Sequence, residues 1–488
     1  MRRGPRARRH GLGAALWLLL ASCAGGLEAS ETTTVETTVE TGSKQVDGRL
    51  PVVLDGDFGP DDMMALLYLL EVPDVEVVAV TVSGTGLAHC PQGAENAAAI
   101  LSHVGHAAIP VACGQPNPIA GVNAFPEEWR EGADGLAASL GVTPVPDAAV
   151  GDAVDLLIET IATSDRPVHL LVLGPMTNIA AAIDAEPQVV ENMARIVAMG
   201  GALEVGGSVA PSYRAEWNLW VDPVAANTVL DSGVPVEMVP LDATNEVPAT
   251  TFFYEALKLE RHTPAADLVY KYLARNSYIL EGGSYFFWDP LAAVSMVEPQ
   301  VVTTEVRNVE VAEEPGDENG ALTETTDGVD VRVALSADRR VFEEAFLSTI
   351  NGGVEIAVEI PMPDVMVRYD GETCAFDGPT EFESTEPLTR VVVELVNETE
   401  TPVSVASSLH EGVTWAQVEA DAATYQQTGR RPAYWQQTGL VTLYGKSVTG
   451  GQTIGALDLA PGSHALVCAS DQGEVFPLTD LVMTDVAG

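Results

Sequence analysis

The fold is decided by residues 51–72, which read PVVLDGDFGPDDMMALLYLLEV. The apolar run at 51–55 is typical of a buried strand, and the segment from Asp61 onward is typical of a helix. Four carboxylates lie at the junction between the two: Asp55, Asp57, Asp61 and Asp62. They would repel one another unless a cation lay among them, and carboxylate oxygens are the ligands that Ca²⁺ and Mg²⁺ prefer. A solvated acidic turn is the alternative interpretation.

Outward from this segment, short apolar runs alternate with helical patterns as far as about residue 350. The runs that look like buried strands are PVVLD (51–55), VEVVAVTV (75–82), HLLVLG (169–174), RIVAMGG (195–201) and PVEMVPLD (235–242). Strand and helix in alternation predict an α/β fold, with a mostly parallel open sheet and helices on both faces. Such sheets bind ligands at the carboxyl ends of their strands.

The pattern of polar and apolar residues changes at about residue 354. Segments of alternating polarity, such as TRVVVELVN and HALVCAS, are separated by Gly, Pro, Asn and Asp. This pattern predicts an all-β sandwich at 354–488 after an α/β domain at 49–352. Within the first domain, the acidic stretch at 312–325 is expected to be an exposed loop.

The charge balance excludes one class of partner. The 488 residues include 70 acidic and 24 basic side chains, and the formal net charge is −46. Binding to nucleic acid through a basic patch needs clustered Lys and Arg, so we expect no nucleic-acid partner.

The first 22 residues are predicted to be an export signal. Residues 2–9 carry five arginines, and an apolar run follows from Leu12 to Leu20. The string Leu-Ala-Ser-Cys at 20–23 resembles the bacterial lipobox, which implies a lipid anchor on Cys23 and a location at the cell surface or in the periplasm. An ordinary signal peptide with a chance cysteine is the alternative. Residues 23–48 are rich in Thr and Glu and predict a disordered tether.

Four further cysteines permit two disulfides in an exported protein. They are Cys90, Cys113, Cys374 and Cys468. Three pairings are possible, and the division into domains favours Cys90–Cys113 and Cys374–Cys468.

The acidic segment resembles the DxDxGxDD signature of the inosine–uridine-type nucleoside hydrolases. Further motifs of that family follow in the same order: GPMTN (174–178), MGG (199–201), AEWN (215–218), DPVAA (222–226) and WDP (288–290). The resemblance covers residues 50–350, and it implies an enzyme that hydrolyses the N-glycosidic bond of a small ribonucleoside. Members of this family often form dimers or tetramers, so a homo-oligomer is a further expectation.

The resemblance also implies a bound calcium and assigns its ligands. These are the side chains of Asp57, Asp62 and Asp289 and the main-chain carbonyl of Thr177. A water on the metal would be the nucleophile, with Asp57 as its general base. Asp55 would orient the site through hydrogen bonds from behind the ligands.

The remaining implied residues bind the nucleoside. They are Asp61, Thr85, Met199, Glu216, Asn218 and Trp288. Thr85 stands where the family has Asn; its hydroxyl can still donate a hydrogen bond, but its side chain reaches less far toward the ribose. Taken alone, Met199 would be a core residue, and Glu216 and Asn218 alternate as on a solvated strand face. Asn178, before an apolar helical run, is expected to cap that helix.

Trp288 bears on the choice of base. Pyrimidine-accepting relatives often have His at this position as an acid for the leaving base, whereas purine-preferring relatives stack Trp on the base. The sequence therefore favours purine nucleosides, with His89 as a possible substitute acid. The alternative interpretation of the whole chain is a lipoprotein that binds a nucleoside without cleaving it.

Overall fold

The computed structural model describes residues 48–146, 148–149, 151–276, 285–358, 362–384, 389–397, 403–409, 413–428, 442–445, 452–470 and 475–485. The predicted export signal, the lipidation site Cys23 and the tether up to residue 47 lie outside these residues. Within the described part of the chain, no helix combines the length and the apolar character that crossing a bilayer requires.

Nine strands form the first sheet. They are β1 (Leu50–Gly56), β2 (Val75–Val82), β3 (Val111–Cys113), β4 (Val168–Val172), β5 (Met193–Met199), β6 (Val236–Val239), β7 (Val302–Val311), β8 (Leu322–Glu324) and β9 (Val329–Ala337). Their order is β3-β2-β1-β4-β5-β6-β9-β7-β8. β1 to β6 and β9 pair in parallel, and β7 pairs antiparallel with β8 and β9. The predicted mostly parallel sheet is confirmed.

Helices follow most of these strands. They are α1 (Pro60–Glu71), α2 (Gln92–His103), α3 (Glu127–Asp134), α4 (Leu136–Ser139), α5 (Ala153–Thr163), α6 (Thr177–Ala185), α7 (Trp217–Val221), α8 (Pro223–Leu230), α9 (Leu241–Thr244), α10 (Thr251–Leu259), α11 (Pro264–Arg275), α12 (Trp288–Val297) and α13 (Arg339–Ile350). Successive side chains of β1 enter different cores: Val52 and Leu54 join one apolar cluster and Val53 the other. Both faces of the sheet are therefore covered, as its continuous apolar strands predict.

The C-terminal part of the chain contains two smaller sheets. β10 (Val365–Tyr369), β11 (Cys374–Asp377), β13 (Thr389–Asn397) and β16 (Gln452–Leu459) form one; β12 (Glu381–Ser384), β14 (Val403–Leu409), β15 (Thr442–Gly445), β17 (Gly462–Ser470) and β18 (Val475–Asp485) form the other. The sandwich is confirmed, with one addition to the all-β prediction: a helix, α14 (Trp415–Thr428).

Two disulfides match the favoured pairing. Cys90 pairs with Cys113, and Cys374 pairs with Cys468. The second bond joins β11 of the four-stranded sheet to β17 of the five-stranded sheet, so it fastens the two layers of the sandwich.

The acidic stretch at 312–325 is only partly the exposed loop that its composition predicts. Its end forms β8, which pairs with β7, and Ala321 and Leu322 are buried. Pairing with an existing strand edge overrides the local preference for a loop, because it satisfies the backbone groups and buries Leu322.

Candidate functional site

Three carboxylates meet where parallel strands end. One oxygen from each of Asp61, Asp62 and Asp289 lies within 4.8 Å of the others. Asp61 and Asp62 belong to the first turn of α1, and Asp289 to the first turn of α12. Two distant parts of the sequence thus bring oxygen donors to one point. This trio includes Asp61, which the resemblance assigns to the sugar, and does not include Asp57, which it assigns to the metal.

Asp62 is fixed by the loop that follows β1. Its Oδ1 accepts the backbone N–H of Asp57 at 3.0 Å, and its Oδ2 accepts that of Gly59 at 2.9 Å. The chain therefore folds back around this carboxylate before α1 begins. Phe58, at the turning point, is fully buried and has a positive φ of 58°, which is unusual for a residue with a side chain.

Burial and mutual repulsion raise the pKa values of these acids. Burial raises the pKa of Asp57 to about 6. Burial and then the Asp57 charge raise the pKa of Asp61 to about 7. The pKa values of Asp62 and Asp289 are raised well above their ordinary range by burial and by neighbouring carboxylates. A cation at this point would relieve the repulsion and restore the ionised forms.

Asp55 lies behind the cluster. Its Oδ1 accepts the Thr81 hydroxyl at 2.6 Å and the Asn178 amide at 2.8 Å, while its buried Oδ2 has no hydrogen-bond partner among the residues that the structure describes. Burial raises its pKa to about 7. The capping role predicted for Asn178 is wrong: no side chain caps α6, and Asn178 binds Asp55 instead.

The side chains of Thr85 and Thr177 contact each other. Thr85 is buried in the loop after β2, and Thr177 is the first residue of α6. Their hydroxyl oxygens are 3.0 Å apart. Thr85 also contacts the Ser83 hydroxyl at 2.9 Å, and Thr177 donates to Asp222 at 2.7 Å.

Glu216 and Asn218 are buried rather than on a solvated strand face. The Glu216 carboxylate caps α7 by accepting the backbone N–H of Asn218 at 2.9 Å. It also accepts the backbone N–H of Gly201 at 3.0 Å. Asn218 donates its amide to the carbonyls of Leu173 and Met199, each at 3.1 Å. Burial raises the pKa of Glu216 to about 7. Met199 itself is buried at the end of β5.

Trp288 differs from the aromatic residues before it. Tyr285, Phe286 and Phe287 are buried, whereas Trp288 is half-buried. Its ring meets the Tyr285 ring edge-on, with 5.0 Å between centroids. The interpretation as core aromatics therefore fits Tyr285, Phe286 and Phe287, whereas part of the Trp288 side chain is exposed to solvent.

Arg130 is a site neighbour that the sequence does not reveal. It is 8% exposed in α3, donates from Nη2 to the Gly84 carbonyl at 2.9 Å, and its charge lowers the pKa of Asp57 against the larger effect of burial. His89, the possible substitute acid, is held instead by Asp134, with Nδ1 2.9 Å from its carboxylate.

The backbone approaches Asp57 closely at two glycines, which lie in different loops. A Cβ on Gly174 would lie 2.8 Å from the Asp57 Cβ, and one on Gly86 would lie closer still. Glycine is required at both positions because the backbone approaches Asp57 too closely for a side chain.

The chain was compared with known proteins. The family model described as inosine-uridine preferring nucleoside hydrolase matches residues 52–344. A probable uridine nucleosidase 1 of Oryza sativa subsp. japonica is 28% identical over 265 residues, which are 54% of this chain and 81% of that protein. The pyrimidine-specific ribonucleoside hydrolase RihA of Salmonella typhi is 36% identical over 201 residues, which are 40% of this chain and 62% of that protein.

Solved structures agree with these sequence matches. An inosine-uridine preferring nucleoside hydrolase from Bacillus anthracis has a TM-score of 0.56 at 27% identity, covering 62% of this chain and 99% of its own. A purine-preferring ribonucleoside hydrolase from Gardnerella vaginalis has a TM-score of 0.53 at 28% identity, covering 62% and 98%. Sequence motifs, fold and relatives point the same way: the chain belongs to the inosine-uridine preferring nucleoside hydrolase family and is a hydrolase of N-glycosyl bonds.

Proposed function

We propose that the chain is a calcium-dependent ribonucleoside hydrolase that prefers purine nucleosides and releases free base and ribose. The approach of Asp61, Asp62 and Asp289 to one another, with Asp57 beside them, carries this proposal. Family membership supports hydrolysis of ribonucleosides. The metal and the base are finer points, which we infer from the donor atoms and from Trp288.

The donor set fits calcium. The proposed ligands are the carboxylates of Asp57, Asp62 and Asp289 and the main-chain carbonyl of Thr177, all of which offer oxygen, the donor that hard divalent cations prefer. The raised pKa values of the acids fit too, because such a crowd of buried carboxylates needs a counter-charge. When bound, the cation supplies Lewis-acid chemistry that lowers the pKa of a coordinated water.

Asp57 is suited to accept the proton of the attacking water. Burial raises the pKa of its carboxyl above the ordinary value for Asp, which makes the carboxylate a better proton acceptor. The backbone passes close to Asp57 at Gly86 and at Gly174, and the charge of Arg130 favours its ionised form.

The other acids are suited to the sugar. Cleavage of an N-glycosidic bond builds positive charge on the ribose, and negative charge fixed in a buried pocket stabilises it. We assign this role to Asp61 and Glu216, with Asn218 and Met199 lining the pocket. Glu216 and Asn218 are pre-positioned by their bonds to Gly201, Leu173 and Met199, so little freedom is lost on binding.

The preference for purines rests on Trp288. Its half-buried indole offers a flat surface on which a bicyclic base stacks over a larger area than a pyrimidine does. The named relatives include one that is pyrimidine-specific and one that prefers purines, so base preference varies within the family.

A ribose-release assay tests the proposal. The purified protein, with calcium, is incubated separately with inosine, guanosine, adenosine, uridine and cytidine, and the reducing sugar is measured. We expect ribose from all purine nucleosides, faster than from uridine, and none after chelation of calcium. Failure to release ribose from any of the five, with calcium bound, would contradict the proposal. A faster reaction with uridine would contradict the purine preference alone.

We further propose that the protein is exported and lipid-anchored through Cys23. The arginine-rich start, the apolar run and the Leu-Ala-Ser-Cys string at 20–23 support this. Cells expressing the protein, fed an alkyne-tagged fatty acid, should label it, and Cys23→Ser should abolish the label. Equal labelling of the two would contradict the anchor.

A further inference from the structure

A line of hydroxyl groups connects three loops at the carboxyl edge of the sheet. Ser83 Oγ donates to the Pro175 carbonyl at 3.0 Å and lies 2.9 Å from Thr85 Oγ1. Thr85 Oγ1 lies 3.0 Å from Thr177 Oγ1, which donates to Asp222 Oδ2 at 2.7 Å. We call the side chains of Ser83, Thr85, Thr177 and Asp222 the hydroxyl relay.

The relay is buried and anchored at its far end. None of its four side chains is more than 2% exposed. Asp222 also accepts the backbone N–H of Ile119 at 2.9 Å and that of Ala225 at 3.2 Å, so it is fixed by two further segments. The relay thus ties the loop after β2 to the start of α6 and to the start of α8.

The protons of the relay are fully committed. The Pro175 carbonyl and the Asp222 carboxylate can only accept, so they take the protons of Ser83 and Thr177. Thr85 is then the donor toward its two neighbours, which share its single proton. A sugar hydroxyl would have to compete with Ser83 and Thr177 for that proton.

We propose that Thr85 is a positioning residue for the metal site, which acts by fixing Thr177 rather than by contacting the ribose. This inference rests on the proposed function, in which the Thr177 carbonyl is a metal ligand. Thr177 is β-branched and stiff about χ1, so holding its Oγ1 from two sides also orients its backbone. Replacing a residue that orients a metal ligand in this way typically weakens metal binding.

Replacement of Thr85 separates the two roles. Thr85→Val keeps the shape and removes the hydroxyl, whereas Thr85→Ser keeps the hydroxyl. We expect Thr85→Val to weaken calcium binding, measured by titration calorimetry, by roughly 10- to 100-fold, with kcat lowered and KM for inosine near wild type. Thr85→Ser should restore most of the calcium affinity.

Thr244→Val is the matched control. Thr244 is fully buried, and its hydroxyl has no hydrogen-bond partner within the described residues. Its replacement should leave calcium affinity unchanged. Should Thr85→Val fail to fold, Ser83→Ala removes one neighbour of Thr85 instead and should weaken calcium binding in the same direction, to a smaller extent.

The outcomes distinguish this inference from the proposed function. Wild-type protein that binds no calcium overturns both, whereas protein that binds calcium and releases no ribose overturns the proposed function alone. If the wild type is active and Thr85→Val raises KM for inosine with calcium affinity intact, Thr85 is a sugar contact and the positioning role is wrong. Equal calcium affinity in wild type, Thr85→Val and Ser83→Ala would also overturn it.

Discussion

The carboxyl edge of the nine-stranded sheet buries acids, whereas the core of the C-terminal sandwich is apolar. Asp55, Asp62 and Asp289 are no more than 2% exposed, while the sandwich core is built from residues such as Val367 and Leu457. Burying a carboxylate costs stability, and burying apolar surface supplies it. The buried acids at the sheet edge therefore lower the stability of the fold, whereas the apolar core of the sandwich raises it. Four predictions test this contrast.

The largest effect should follow from Asp57→Asn. Loss of the general base should lower kcat by roughly 10²- to 10⁴-fold. The same change removes one charge from a crowd of buried carboxylates, so the metal-free variant should melt at a higher temperature than the metal-free wild type. Ribose release and thermal unfolding in EDTA measure the two effects.

Asp364→Asn in the sandwich is the control for that variant. The Asp364 carboxylate accepts the Val392 backbone N–H at 2.8 Å, on the outside of the core. This change should leave ribose release unaltered. If the metal-free Asp57→Asn protein is less stable than the metal-free wild type, repulsion between the carboxylates does not destabilise the site.

The second prediction concerns pH. Burial raises the pKa values of Asp55, Asp61 and Glu216 to about 7 in the folded protein, from ordinary values of 3.8 and 4.5. Their contribution to stability is therefore present in full below pH ~4 and is lost as pH rises toward 7. Metal-free protein should unfold at a lower temperature at pH 8 than at pH 5, and calcium should reduce the difference. A metal-free melting temperature that does not change between the two would refute this.

The third prediction concerns the sandwich. Cys374 and Cys468 are 94 residues apart in sequence, so breaking their bond with Cys374→Ser and Cys468→Ser together should lower the free energy of unfolding by about 4 kcal/mol. Guanidinium unfolding measures this loss. Ribose release at 25 °C should not change, and a parallel fall in kcat would show that the sandwich supports the site.

The smallest effect should come from Glu343→Met in α13. Glu343 is 1% exposed, neither carboxyl oxygen has a hydrogen-bond partner in the described part of the chain, and Arg339 lies 3.9 Å away. Burial raises its pKa to about 7. At pH 8 the apolar variant should be more stable by about 1–2 kcal/mol, because replacing a buried charge pair with a packed side chain often stabilises. At pH 5, where the carboxyl is protonated, the gain should shrink; equal gains at both pH values would contradict the burial argument.

Local sequence patterns were sufficient to predict the strand ends and the acids that follow them. Asp61 and Asp62 come directly after the β1 loop, and Asp289 begins a helix after an aromatic run. Asp289 does not directly follow a strand of the sheet, so its convergence with Asp61 and Asp62 was expected from the order of the family motifs.

The partners of individual side chains could not be predicted in this way. Asn178 resembles a cap in its local sequence, yet its amide binds Asp55, 123 residues away. Arg130 lies in a helix whose acidic sequence, EEWREGAD, suggests a solvated surface, and it is buried against Gly84. Both contacts depend on tertiary packing between segments that carry no shared local signal.

Gly86 and Gly174 limit the substitutions that this sequence can accept. Neither is proposed to touch a ligand, but any side chain at either position would displace Asp57. In a saturation mutagenesis library selected for ribose release, variants at these two positions should therefore be lost as often as variants of the acids themselves. Such a selection would identify two essential residues that ligand contacts alone do not reveal.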